Sequence, residues 1–532
     1  MAKHYLPVRR DELMLLPPDV RDWLPADHVV WFVLDVVGAL DTSSLHRARL
    51  GGAGRAPYDP DMLLAVLVYA YAGGLRSSRK IEKRCEEDVA FMVLSGLGRP
   101  DHATIARFRK DNTEVMGGLF DQILVLCAKA GLGNLVHVAI DGTKIAADAS
   151  AAMSRDADGL RGTGRRWLDE AAAVDDEDDE RFGDGRGDEL PEQLRDPERR
   201  KQVIAELIEQ AGADPDRKRG QARQRKARRA EQALGLADEL QAQAQADAQA
   251  DLQRPMARLA RSEAKLAQVQ ARIQAEADDR GRREAEAAAR GSSLPGPKPL
   301  PVDEHSWVRD QLARVERDRQ ALAQRQAAPV EVTGQRNLTD PDARFMPTQR
   351  DKFVLGYNAQ LAVSADHLIL AYDLVQDTGD EHQLVPMLAR LDSAVAMLRT
   401  ATDNPDLTVG HALFDAGYAS AANLAAPGPK RLIALGKRGN IAGENPPTSP
   451  PGPDATDMAK MAWLLRTPEG RALYKKRGAT VEPVNSHLKQ PRGLRRFSRR
   501  GLAAAKAELA LAALTTNLMR WFNTTAAPAT TG

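Results

Sequence analysis

Three carboxylates stand in settings that could hold a hard divalent cation. Asp141 follows the apolar run Val136-His137-Val138-Ala139-Ile140, and Asp415 follows a second run, Thr408 to Phe414. Short continuous apolar runs read as buried strands, and acids at the C-terminal ends of strands gather where ligands bind in open α/β sheets. Either aspartate alone is more often a turn former or a helix cap, so the repeated setting is what points to a site. The third acid, Glu482, is the single one among ten Lys or Arg in residues 471–500. A salt bridge on a basic helix is the plain account of such a glutamate. Its neighbours suggest more. Pro483 suits the first turn of a helix and Lys489 lies seven residues on, so a helix starting there would turn Glu482 and Lys489 to one side. Mg²⁺ takes few carboxylates and keeps water and phosphate oxygens, so three acids can hold two ions ~4 Å apart, one activating an attacking oxygen and one stabilising a leaving oxygen.

These acids need a sheet to hold them. From Val136 the pattern runs strand, long insertion, strand, strand, helix, strand, helix, strand, helix, which describes an α/β fold with a sheet of mixed strand direction. Lys352 to Val363 and His367 to Val375 form a hairpin, His382 to Leu398 a helix, and Arg431 to Leu435 a further strand. Residues 439–453 read as a Pro-rich loop before a last helical region that ends near Phe522. Before the sheet, residues 1 to about 130 read as helical. Apolar positions recur at three and four from Val29 to Val37 and from Leu63 to Tyr71; Pro60 and Gly73-Gly74 bracket the second helix, and Asp101 or Thr104 caps a basic helix over Ile105 to Lys110.

Inside the insertion, residues 155–190 are Gly- and Asp-rich and read as a solvated loop, while residues 191–292 favour helix without an apolar heptad. Pro295, Pro297, Pro299 and Pro301 interrupt it before a helix over Val308 to Gln324, giving a long charged helical hairpin. It shows no His/Cys/Asp ligand cluster, so a spacer or dimerisation arm is its expected role. The resulting division is a helical N-terminal domain over 1–130, the first part of a sheet domain over 131–154, a charged insertion over 155–330, the rest of the sheet domain over 331–523 and a tail over 524–532.

Composition bounds the rest. The 532 residues exceed what one core usually organises, and 75 Lys+Arg against 74 Asp+Glu leave the partner to be read from local charge. Cys85 and Cys127 are too few for a disulfide framework or a four-cysteine zinc site and are expected to be buried. No leader pattern is seen, and the longest apolar stretch, Met62 to Leu75, falls short of the ~20 residues of a spanning helix. A cytoplasmic protein with no membrane partner is expected.

Several blocks, in order, resemble the DDE insertion-sequence transposases. They are Asp141-Gly142-Thr143-Lys144, Phe414-Asp415-Ala416-Gly417-Tyr418, and Tyr474 to Arg477 through Val481-Glu482-Pro483-Val484 to Lys489. Asn337 to Asp342 and Gly356-Tyr357-Asn358-Ala359-Gln360 are similar to further blocks, and Trp23 to His28 with Asp101 to Arg109 resemble the N-terminal domain of InsH-type members. The resemblance implies a ribonuclease H-like catalytic fold and a metal-binding triad of Asp141, Asp415 and Glu482. It also implies Tyr474, Arg477 and Lys489 near the DNA at the cut. Two departures are visible: four residues part Arg477 from Glu482 where three are commonest, and Asn485-Ser486 stands where an aromatic residue and Gly are frequent.

The implied chemistry is hydrolysis at transposon ends followed by attack of the freed 3′-hydroxyl on target DNA, with two Mg²⁺ or Mn²⁺ ions. The implied partners are double-stranded DNA, as terminal inverted repeats and target, and a second copy of the chain in a homodimeric DNA complex associated with the bacterial nucleoid. Phosphate contacts are expected from Arg492, Arg495, Arg496, Arg499 and Arg500, and from Arg107 and Arg109. Two other readings stay open, a catalytically silent DNA-binding protein derived from a transposase and a stand-alone metal-dependent nuclease.

Overall fold

Val138 to Ile140, fully buried, begin a strand that runs to Ala146 and organises a mixed six-stranded sheet. In the computed structural model residues 20–46, 57–182, 215–297, 300–348, 352–436 and 449–526 are described. They form two units, one of residues 1–153 with 339–532 and one of residues 154–338. In the first, β1 (Val138–Ala146), β2 (Arg344–Pro347), β3 (Phe353–Ser364), β4 (Ile369–Val375), β5 (Ala412–Phe414) and β6 (Arg431–Ile433) lie in the order β2-β3-β1-β5-β6, with β4 also on β3. β3 runs antiparallel to β1, β2 and β4, whereas β5 runs parallel to β1 and β6. The expected hairpin is present as β3 and β4.

The N-terminal helices are α1 (Val29–Ala39), α2 (Pro60–Ala72), α3 (Ser78–Glu87), α4 (Val89–Leu94), α5 (His102–Asp111) and α6 (Val115–Lys129). Local chemistry sets their ends. Asp59 caps α2 ahead of Pro60, Gly73 closes it, and Asp101 rather than Thr104 caps α5, its carboxylate accepting the Thr104 N–H at 2.7 Å. Cys85 and Cys127 are buried, and burial pushes their thiols up to about 11 and about 12.

In the second unit, α7 (Ala157–Phe182) and α9 (Ser306–Ala327) pack on α8 (Pro215–Ala289). At 75 residues α8 is roughly 110 Å long. The helical reading of the insertion holds where it is described, but the expected loop over 155–190 does not: 157–182 is helix. Ala157 and Leu160 bury themselves against Leu236, Ala237 and Leu240, a tertiary gain that local Gly and Asp content does not reveal. Residues 183–214 lie outside the described residues, as do 439–448 of the expected Pro-rich loop.

The first unit is completed by α10 (Leu384–Thr402), α11 (Asp457–Arg466), α12 (Pro468–Lys489) and α13 (Leu502–Ala526). Asp340 and Asp342 hold the start of α13, accepting the Gly501 N–H at 3.1 Å and the Leu502 N–H at 2.7 Å. This helix packs against α6, α2 and β4, so the N-terminal helices share one core with the sheet. A part-buried pair ties them further: Arg76 reaches Glu508 at 2.6 Å and the Gly493 carbonyl at 2.6 Å. The start of α12 differs from expectation. Thr467 caps it and Pro468 takes the first position, leaving Pro483 in the helix interior. Pro483 has no N–H for the Ala479 carbonyl one turn back, and His367 Nε2 approaches that oxygen at 3.0 Å instead.

Candidate active site

Parallel pairing sets two acids side by side. Val138 pairs with Ala412 and Ile140 with Phe414, so the next residue on each strand is Asp141 and Asp415. β5 stops there, while β1 continues against β3 as far as Ala146 opposite Gly356. Asp141 is therefore within its strand rather than at the end, at the point where its parallel neighbour ceases. Asp415 opens a short turn and accepts the Gly417 N–H at 2.8 Å.

A third acid, Asp380, lies over β1. It accepts hydrogen bonds from Asn358 Nδ2 and Gln360 Nε2, each at 2.7 Å, and pairs with Lys144 Nζ at 3.5 Å. Gly142 makes the approach possible, since a Cβ there would stand 2.4 Å from Asp380 Oδ1 and 2.6 Å from Gln360 Nε2. The buried Tyr418 hydroxyl holds the far end of Gln360 by donating to its Oε1.

Charge is concentrated here. Burial pushes the Asp141 carboxyl up to about 6, with Arg477 pulling it down and Asp415 and Asp380 pushing it further. Burial also raises Asp415, against the Gly417 N–H and Arg477. Arg477 Nη1 stands 3.4 Å from Asp141 Oδ1, and Asn485 Nδ2 donates to Asp141 Oδ2 at 3.4 Å. Lys144 and Lys489 are both lowered by burial, and both feel the Asp141 charge. Tyr474 is raised by burial and hydrogen-bonds Arg477. Four polar atoms around the pair are buried without a hydrogen bond: Lys144 Nζ, Arg477 Nη1, Asn358 Oδ1 and Asn485 Oδ1.

Known families can be set against this geometry. Residues 18–111 match the Transposase domain (DUF772), and residues 330–518 match the Transposase DDE domain. The chain belongs to the DDE insertion-sequence transposases. No curated protein and no solved structure matches it. Both aspartates of this transposase that the sequence singled out are thus brought together, and Tyr474, Arg477 and Lys489 face them from α12. Glu482 is on the same helix between Arg477 and Asn485 but is exposed, its carboxylate along Gly478, where a Cβ would come within 3.1 Å. Among the described residues, Asp141, Asp415 and Glu482 do not have ligand atoms all within 4.8 Å of one another; His46, Asp59 and Asp61 do, on the surface beside the α2 cap.

The basic residues divide. Arg107, Arg495 and Arg496 of the transposase are exposed. Arg109 is buried, donating to Tyr71, the Arg76 carbonyl and Ser78, and Arg492 is buried with a bond to the Ala72 carbonyl. Both are internal fasteners with no guanidinium face to offer a phosphate. Arg499 donates to Thr113 at 2.8 Å, and Arg500 pairs with Asp148 at 3.1 Å. Sequence reading missed Asp380, whose only local signal is an acidic turn after an apolar strand, and Lys144 and Asn485, which show no signal beyond their blocks.

Proposed function

We propose that this transposase cuts DNA at its element's ends and joins the freed 3′-hydroxyl to target DNA at a site built on Asp141 and Asp415, with Glu482 as the third carboxylate. The observation that carries this reading is the parallel register that sets the two aspartates side by side. A ribonuclease H-like assignment for the sheet is supported by the same feature, a central β1 with an antiparallel β3 on one side and a parallel β5 on the other.

The donor set suits a hard cation: two half-buried carboxylates with raised affinity for protons, and the unbonded amide oxygens Asn358 Oδ1 and Asn485 Oδ1 nearby. Asp141, Asp415 and Glu482 would hold Mg²⁺ or Mn²⁺, two ions in the full site, and that group would supply activation of the attacking oxygen and charge neutralisation at phosphorus. Glu482 reaches the pair by turning its flexible side chain from the exposed side of α12, with Gly478 leaving it room. Arg477 Nη1 and Lys144 Nζ, held only by long ion pairs to Asp141 and Asp380, donate to phosphate oxygens of the DNA. Asp380 fixes Lys144 and keeps Asn358 and Gln360 in place. Asp141 gives up its proton when a cation is taken, so cation affinity rises as pH passes about 6. Both steps are in-line displacements, and no covalent enzyme intermediate forms. Exposed Arg107, Arg495 and Arg496 contact phosphates of the terminal repeat and target, bound by a homodimer.

Duplex carrying the sequences that flank the gene, incubated with Mg²⁺ or Mn²⁺, tests the reading. Cleavage and strand transfer by the wild type, both lost in D141A, are expected. Cleavage without joining would make the protein a nuclease, and binding without cleavage a silent DNA-binding protein.

A further inference from the structure

We infer that the cleft between α8 and α9 is a binding surface for the phosphate backbone of duplex DNA, an inference that rests on reading the chain as an enzyme of DNA joining. The cleft has a volume of ≈ 1070 Å³ and is walled by Arg254, Arg258 and Arg261 of α8 and by Arg317 and Arg325 of α9. A second hollow of ≈ 310 Å³ adds Lys265 and Arg314.

The two acids of the larger hollow are already engaged. Asp318, 4% exposed, pairs with Arg258 at 2.8 Å and accepts from the Ser262 hydroxyl, and Asp251 pairs with Arg325 at 3.3 Å. Among the described residues, Arg254, Arg261, Lys265, Arg314 and Arg317 have no acid partner. The C-terminal stretch of α8, from Arg272 on, shows what an ordinary solvated face looks like. Arg272 pairs with Glu276, Arg280 with Glu284, and Arg283 with Asp279, each within one turn. The cleft breaks that rule on both walls at once.

Spacing supports a polyanion. Residues 254, 258, 261 and 265 follow i, i+4, i+7 and i+11 and so share one side of α8. They span ~16 Å, about five base-pair steps of duplex. Ala257 and Ala321 leave the cleft floor low, and no aromatic side chain lines it to anchor a protein partner.

The test is the salt dependence of duplex binding by the full-length protein, followed by fluorescence anisotropy, for wild type and R254Q/R261Q/K265Q/R314Q/R317Q. Each lost phosphate contact makes the slope of log affinity against log salt shallower by ~0.9, so a decrease of about 4 to 5 and at least tenfold weaker binding are expected. The five-lysine counterpart should keep the wild-type slope. Far-UV circular dichroism checks helicity; should the fivefold change lower it, R314Q/R317Q alone carries the test with an expected decrease of about 2. An unchanged slope in a folded variant overturns the inference, and if the wild type still cleaves and joins, the active-site reading stands without it. An unchanged slope with loss of self-association would assign the cleft to a second copy of the chain and overturn it as well.

Discussion

The two strand-held aspartates and the helix-held glutamate are built by opposite means. Asp141 and Asp415 are placed by backbone pairing in a buried sheet, so their separation is fixed whatever their side chains do, and both carboxyls are raised by burial. Glu482 is placed by one face of α12, exposed, at the end of a flexible side chain. On the proposed reading, a preformed pair with a movable third member concentrates negative charge only when a cation and substrate are there to use it. On the strands, Arg477 and Asn485 both lean on Asp141.

Substitutions can break this comparison. The largest expected effect is on chemistry. D141A should reduce cleavage by about 10³-fold, and E482Q by about 10²-fold, the scale of losing a group that stabilises developing charge. The two should differ in the folded protein, where E482Q leaves the melting temperature unchanged. Equal shifts in melting temperature would mean that Glu482 is as built-in as the strand acids.

Next is pH dependence. The folded carboxyl of Asp141 sits near 6, above its ordinary value of 3.8, so its contribution is present below the unfolded value and is lost as pH rises through about 6. On that account Asp141 alone should cost the metal-free protein at most about 3 kcal/mol between pH 4 and pH 8. D141N should flatten the profile, measured by urea unfolding, whereas a profile unaltered by D141N would remove Asp141 as its source. Added Mg²⁺ should restore stability at pH 8 in the wild type but not in D141N.

D380N sharpens the comparison from another side. It leaves the strand register intact and keeps an oxygen for Asn358 and Gln360, but removes the charge that pairs with Lys144, so cleavage should fall about tenfold with the change in kcat rather than in DNA affinity. A loss confined to affinity would place Asp380 outside the reacting centre. The smallest effect belongs to His367. H367A removes the partner of the Ala479 carbonyl, and a loss of about 1 kcal/mol in unfolding free energy is expected. No loss would mean that water satisfies this carbonyl equally well.

What the sequence revealed follows from the range of the forces involved. The apolar runs of β1 and of β3 with β4 were legible because period and burial act locally, and the two aspartates were legible because each follows such a run. The start of α12 was misplaced, since a proline inside a helix is tolerated only when something distant, here His367, takes the freed carbonyl. Arg109 and Arg492 read as DNA contacts because a charge in a basic block looks solvated, and their actual acceptors, Tyr71, Ser78 and the Ala72 carbonyl, are remote in sequence. Asp380 was missed for the same reason: it lies in a turn, its partners Asn358 and Gln360 belong to β3, and Gly142, which admits it, to β1.

The most direct test of the central claim is cleavage of labelled terminal-repeat duplex in Mg²⁺ by wild type and D415A, with DNA binding and thermal unfolding measured on the same samples. The account predicts that D415A folds, binds the duplex and fails to cut it. Equal cleavage by the two proteins would contradict the assignment of the paired aspartates as the reacting centre.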